Sequence, residues 1–78
     1  MAKEHKHVYS LIETLNVNGL GEFDLEWSDH RTHELGRLRF HEGQLLVLYK
    51  SGTALVQGKG PKANIAEVCR AEEWRCSG

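Results

Sequence analysis

The sequence predicts an α+β domain in which a four-stranded antiparallel sheet carries an N-terminal and a C-terminal helix on one face. Three observations lead there. Apolar residues between positions 3 and 16 recur at the helical period, those between 23 and 57 fall in strand-length segments that alternate or run unbroken, and the helical period returns after Pro61. With helix, strands and helix in that order, laying both helices on the same side of a meander is the economical arrangement. The 78 residues suffice for one core, so residues 1–78 are read as a single domain without repeats or linkers.

Each element has its own signal. From Lys3 to Asn16, Val8, Leu11, Ile12 and Leu15 define one buried helical face, and Asn18-Gly19 supplies the stop. Phe23, Leu25 and Trp27 alternate with Glu22, Asp24, Glu26 and Ser28, the pattern of a half-buried strand. The polar run from Asp29 to His33 is a loop, and Arg37-Leu38-Arg39-Phe40 alternates again. Pairing of these two strands sets the acids of the first opposite Arg37 and Arg39, which disfavours slipped registers. A turn at His41–Gln44 leads into the continuous apolar strand Leu45–Tyr49. Lys50-Ser51-Gly52-Thr53 turns the chain into a fourth strand, Ala54 to Gln57. Gly58-Lys59-Gly60 breaks that strand, Pro61 fits the first turn of a helix, and Ile65, Val68 and Cys69, joined by Ala66 and Trp74, form the helix's apolar face.

Charge and cysteine content narrow the function classes. Ten basic and 11 acidic residues leave a formal net charge of −1, which argues against binding nucleic acid by bulk charge and leaves only a local basic patch for that role. No segment has the roughly 20 apolar residues needed to cross a bilayer, and the N-terminus carries no signal-like apolar run. A cytoplasmic location without membrane contact is therefore expected. Cys69 and Cys76, read as one helix, stand about 10 Å apart along its axis, too far for a disulfide. Two reduced structural thiols are the expectation.

Strict alternation gives the sheet two apolar faces. If Phe23, Leu25, Trp27, Leu38, Phe40, Leu46, Leu48, Ala54 and Val56 face the helices, then Leu45, Val47, Tyr49 and Leu55 face the other way, rimmed by Arg37, Arg39, Thr53 and Gln57. Two helices cannot cover both sides. Uncovered contiguous apolar surface marks an interface, and two occupants suit this one. A second copy gives an isologous homodimer. A nucleic acid lying across the face meets aliphatic side chains while Arg37, Arg39, Lys50, Lys59 and Lys62 neutralise its phosphates.

The stretch Leu45 to Ala63, LLVLYKSGTALVQGKGPKA, resembles the N-terminal domain of type III bacterial ribonucleases H, which has a TATA-binding-protein-like fold. That family likewise runs an apolar strand into a Tyr-Lys-Ser-Gly turn, a short strand, a Gln-Gly-Lys-Gly corner and a helix. The match covers about a quarter of the chain. It implies half of a TATA-binding-protein fold and an accessory grip on duplex or RNA/DNA hybrid, and it carries over by position to Tyr49, Lys50, Ser51, Gly52, Gln57, Gly58, Lys59 and Gly60. It implies no catalysis, because the metal-holding acids of a ribonuclease H belong to another domain. Leu45 and Val47 stand where more polar outward residues are expected. That departure and the negative net charge point instead toward a protein interface.

The other motifs are incomplete. Gly58-Lys59-Gly60-Pro61-Lys62 has the ingredients of an anion site at a helix start but not the longer glycine loop or Lys-Ser/Thr ending of a nucleotide-binding loop. His5, His7, His30, His33 and His41 are candidate metal ligands, yet no close pair is joined to a second pair, so neither metal nor cofactor is expected. A nucleophile at Cys69 or Ser51 has no His and acid fixed beside it, and Cys69 falls on an apolar helical face. The expectation is a non-enzymatic binding module. Its surface is the open face together with the Lys50/Lys59 corner, comprising Arg37, Arg39, Leu45, Val47, Tyr49, Lys50, Ser51, Leu55, Gln57, Lys59 and Lys62. Its partner is nucleic acid first, and a homodimer mate or other protein as the alternative.

Overall fold

The computed structural model describes residues 2–77. Helix α1 (His5–Val17) is followed by strands β1 (Phe23–Trp27), β2 (Glu34–Phe40), β3 (Gln44–Tyr49) and β4 (Thr53–Gly58). Helix α2 (Ala63–Ala71) and strand β5 (Arg75–Ser77) complete the chain. The sheet order is β1-β2-β3-β4-β5. The first four strands form the expected antiparallel meander, and β5 joins β4 in parallel, so the sheet is mixed. Both helices pack on one side of it, where Val8, Leu11 and Leu15 of α1 and Ile65, Val68 and Cys69 of α2 meet Leu38, Leu46, Leu48, Ala54 and Val56 of the sheet. Among the described residues no helix is long and apolar enough to cross a membrane.

The fifth strand corrects the expectation of four strands and of a C-terminal helix that reaches Trp74 and Cys76. Helix α2 stops at Ala71 because Glu73 enters the left-handed region at φ 65. The Trp74 N–H then donates to the Cys69 carbonyl at 2.9 Å and the Glu73 N–H to Arg70 at 3.0 Å. These are the two reverse bonds of a Schellman motif, here with glutamate where glycine is usual. The same bonds end α1, from Leu20 to Leu15 at 2.8 Å and from Gly19 to Asn16 at 3.1 Å, and there Gly19 supplies the positive φ. Past Glu73 the chain is extended: Trp74 is buried, Arg75 exposed and Cys76 packed against the core. Crossing over through α2 satisfies the connection that a parallel strand pair requires.

The C-terminal turn is tied to α1. The Glu72 carboxylate accepts from Ser10 Oγ at 2.6 Å and from Thr14 Oγ1 at 2.8 Å. Lys3 Nζ lies 5.1 Å from the centroid of the Trp74 ring. At its own start α1 is held by the Glu4 N–H donating to His7 Nδ1 at 2.8 Å. Pro61 sits just upstream of the Lys62 N-cap rather than inside the first helical turn.

Strand β2 starts at Glu34 and carries a bulge. Glu34 pairs with Tyr49 and Gly36 with Leu48, leaving Leu35 as the extra residue. The bulge reverses parity: Leu35 enters the core at 4% exposure, and Glu34 turns to the opposite side of the sheet from Gly36, Leu38 and Phe40. Without it, the alternation of β2 would drive a carboxylate into the apolar core.

Candidate binding face

The candidate site is the sheet face opposite the helices. Registers place its residues in rows that run across the strands. One row is Glu26, Arg37, Val47 and Leu55; the next is Asp24, Arg39, Leu45 and Gln57. A third holds Glu34 beside Tyr49 and Thr53 beside Arg75. The inward set is Leu38, Leu46, Leu48 and Ala54, all at 0% exposure. Parity therefore falls as the sequence indicates. Val47 in the middle of the outer face is only 2% exposed because its own neighbours crowd it, whereas Leu45, Tyr49 and Leu55 around it are half-buried. The edge strand β1 is less well covered: Phe23, Leu25 and Trp27 are partly buried, and Trp27 is sheltered by a stacked His5 ring at 4.1 Å and an edge-on Tyr9 ring at 5.5 Å.

A single carboxylate, Glu34, organises the upper end of the face. Glu34 accepts from Arg37 Nε at 2.8 Å and Nη2 at 3.2 Å, from Arg31 Nη1 at 3.2 Å and from Ser28 Oγ. The Arg37 fork, opposed by burial and aided by the Ser28 hydroxyl and the two guanidinium charges, lowers the Glu34 carboxyl from 4.5 to about 2. Its carboxylate in turn holds the Arg37 guanidinium in its charged form. Arg37, expected as a phosphate-neutralising group, is thus bound to a carboxylate already. Arg39 is exposed and stands opposite Asp24 in the register; Asp24 Oδ2 is also 3.4 Å from His41 Nε2. Across the face Arg31, Arg37, Arg39 and Arg75 are set against Asp24, Glu26 and Glu34, close to neutrality.

The Lys50 and Lys59 positions do not form one corner. They flank opposite ends of β4, whose six residues span about 17 Å. Lys50 belongs to the end near the start of α1, where its carbonyl accepts from the Lys3 N–H at 2.7 Å. Ser51 ties the β3–β4 turn to β5: its carbonyl accepts from Arg75 Nη2 at 3.0 Å, and its hydroxyl meets Thr53 Oγ1 at 3.2 Å. Lys59 is exposed at the far end. Lys62 is turned inward on its own loop, where Nζ donates to the carbonyls of Gly58 at 2.9 Å and Gly60 at 3.2 Å. The glycine-lysine segment is therefore a connection whose own lysine satisfies its carbonyls, and the structure does not gather Lys50, Lys59 and Lys62 into one anion cradle.

The remaining chemistry-bearing residues are dispersed. Among the described residues no three His, Cys, Asp or Glu side chains are grouped to hold a metal ion. Cys69 is fully buried, and its thiol is pushed up to about 12 by burial first and then by nearby Cys76, so it stays protonated at neutral pH. Ser28, Arg31, Glu34 and Arg75 are members of the face that sequence reasoning missed. A two-residue period in Trp74-Arg75-Cys76 was the available signal for the last. Against family models, curated proteins and solved structures, the chain matches none.

Proposed function

We propose that the chain is a non-catalytic protein-interaction module whose open sheet face is covered by a protein partner. One observation carries this: Leu45, Tyr49 and Leu55 form a half-buried apolar patch around Val47 on a face that no element among the described residues covers, and the arginines beside it are balanced by Asp24, Glu26 and Glu34. An apolar centre with a charge-compensated rim suits a protein surface. Polyanion affinity instead scales with the number of uncompensated cations, and four arginines against three carboxylates leave about one.

Nucleic acid is the second reading, favoured by the likeness of Tyr49–Gly60 to a hybrid-gripping domain and by the exposure of Arg39, Lys59 and Arg75. A photo-crosslinking residue at exposed Gln57, used in cells, separates the two. The protein reading predicts protein adducts that Leu45→Glu abolishes and that the same residue at Glu13, on the exposed side of α1, does not give. Nucleic-acid adducts at Gln57, or no adducts, contradict it.

A further inference from the structure

We propose that a cavity at the Gln44 end of the core binds a primary alkylammonium group, at a site separate from the open sheet face. Gln44 has the inward parity of Leu46 and Leu48, so it lies on the helix side of the sheet. There it borders a cavity of about 80 Å³, together with Leu20 of the turn after α1, Phe40 at the end of β2 and Ile65 of α2. Glu22 and Glu42 also line it. The His41 N–H donates to the Glu22 carbonyl at 3.0 Å, which brings the chain before β1 beside the turn that carries Glu42.

The Gln44 amide is satisfied on one side only. The residue is 5% exposed, and its Nε2 donates to the Pro61 carbonyl at 2.8 Å. That bond fixes the orientation of the amide, since the reversed amide would set oxygen against oxygen. Gly60 lies against the same nitrogen: a Cβ there would stand 3.1 Å from Nε2. Oε1 therefore faces away from the Gly60-Pro61 segment, and it accepts from no donor among the described residues. A buried acceptor in that state carries an unmet desolvation cost, which a donor brought into the cavity would relieve.

The lining defines the donor. Gln44 has only its oxygen left to offer, and Glu22 and Glu42 are carboxylates with no salt-bridge partner among the described residues. Every polar side chain that borders the cavity is thus an acceptor. A hydroxyl or amide ligand would bring an acceptor of its own, whereas an ammonium brings three donors, a positive charge and no acceptor. Leu20, Phe40 and Ile65 supply apolar wall for a methylene stem, and the Phe40 ring favours a nearby cation. Those same walls deny a bare metal ion the six or more oxygens that hard cations take. A cavity of this size holds a few heavy atoms, which suits an ammonium on a short stem, whether of a free alkylamine or of a lysine side chain.

The test is a nuclear magnetic resonance titration of the isotope-labelled full chain at neutral pH. The ligands are n-butylammonium chloride and the peptide acetyl-Gly-Lys-Gly-amide, with n-butanol and potassium chloride as controls. Either ammonium ligand is expected to give saturable shifts of the Gln44 side-chain amide and the Leu20 and Ile65 methyl signals, and the controls none. Tighter binding of the peptide assigns the site to a lysine side chain, and tighter binding of n-butylammonium to a free amine. Glu22→Gln/Glu42→Gln, at two exposed positions, is expected to weaken binding about tenfold. Gln44→Met keeps the bulk but removes Oε1 and is expected to abolish saturation; if it fails to fold, the double glutamate variant decides. No saturable shifts, equal shifts with n-butanol or potassium, or a double variant that binds as wild type does overturns the site. The open-face reading is unaffected by either result.

Discussion

Replacing Glu34 by glutamine should remove a defined share of the protein's acid sensitivity. The Glu34 side chain is 8% exposed, and its carboxyl lies at about 2 against 4.5 for an ordinary glutamate. At about 1.4 kcal/mol per pH unit that gap corresponds to roughly 3 kcal/mol, trimmed to about 2–3 kcal/mol because hydration of the partner arginines screens them. The sign follows from the folded value lying below the unfolded one. The stabilisation is fully present above about pH 4.5 and is lost as the pH falls through about 2. Glu34→Gln keeps the shape and an acceptor for Ser28 but not the charge, so its deficit relative to wild type should be about 2–3 kcal/mol at pH 7 and shrink toward zero near pH 2. Urea unfolding followed by tryptophan fluorescence at pH steps from 7 to 2.5 gives both curves, and their difference cancels the other carboxylates. A deficit that stays constant down to pH 2.5 refutes the account of the Glu34 cluster.

Three further outcomes follow from particular backbone and side-chain positions. Glu73→Gly should stabilise the protein by up to about 1 kcal/mol, a rise in Tm of several degrees at this size, because glycine removes the cost of the left-handed φ that ends α2; an unchanged or lower Tm contradicts this. Gly58→Ala should destabilise by about 1–3 kcal/mol, since Gly58 has φ 95 and an added Cβ meets the Gly43 carbonyl oxygen; thermal melts that overlay wild type speak against the corner geometry. In the native protein at pH 8, iodoacetamide should label Cys76 well before Cys69, and peptide mass spectrometry showing equal rates would mean that Cys69 is not buried as described.

Much of the sheet is legible in the sequence because alternation is a local property of each strand. Leu46, Leu48, Ala54 and Val56 against Leu45, Val47 and Leu55 need only a period of two, and the acids of β1 find Arg37 and Arg39 because a short meander leaves few registers. The bulge at Leu35 is not legible, since it depends on relieving a conflict between Glu34 and the core that exists only once β2 is paired with β3. The cap hides the end of α2: a Schellman turn without glycine carries no punctuation in the sequence, and Trp74 is in keeping with one more apolar helical residue. The helical face does run out at Cys69, because the next position in phase is Glu72. Losing β5 also hid Arg75, the one cation of the face that lies on the β5 margin. The glycine-lysine segment is legible only through its composition, which does not reveal that Lys62 Nζ is taken by the Gly58 and Gly60 carbonyls.

Side-chain footprinting of the face in living cells, compared with the dilute purified chain, tests the central claim most directly. If a protein covers the open sheet face, Leu45, Tyr49 and Leu55 lose reactivity in the cell, while Tyr9 and Val17, exposed by 58% and 82% on α1, react equally in both settings. Equal reactivity of Leu45, Tyr49 and Leu55 in the two settings would contradict it.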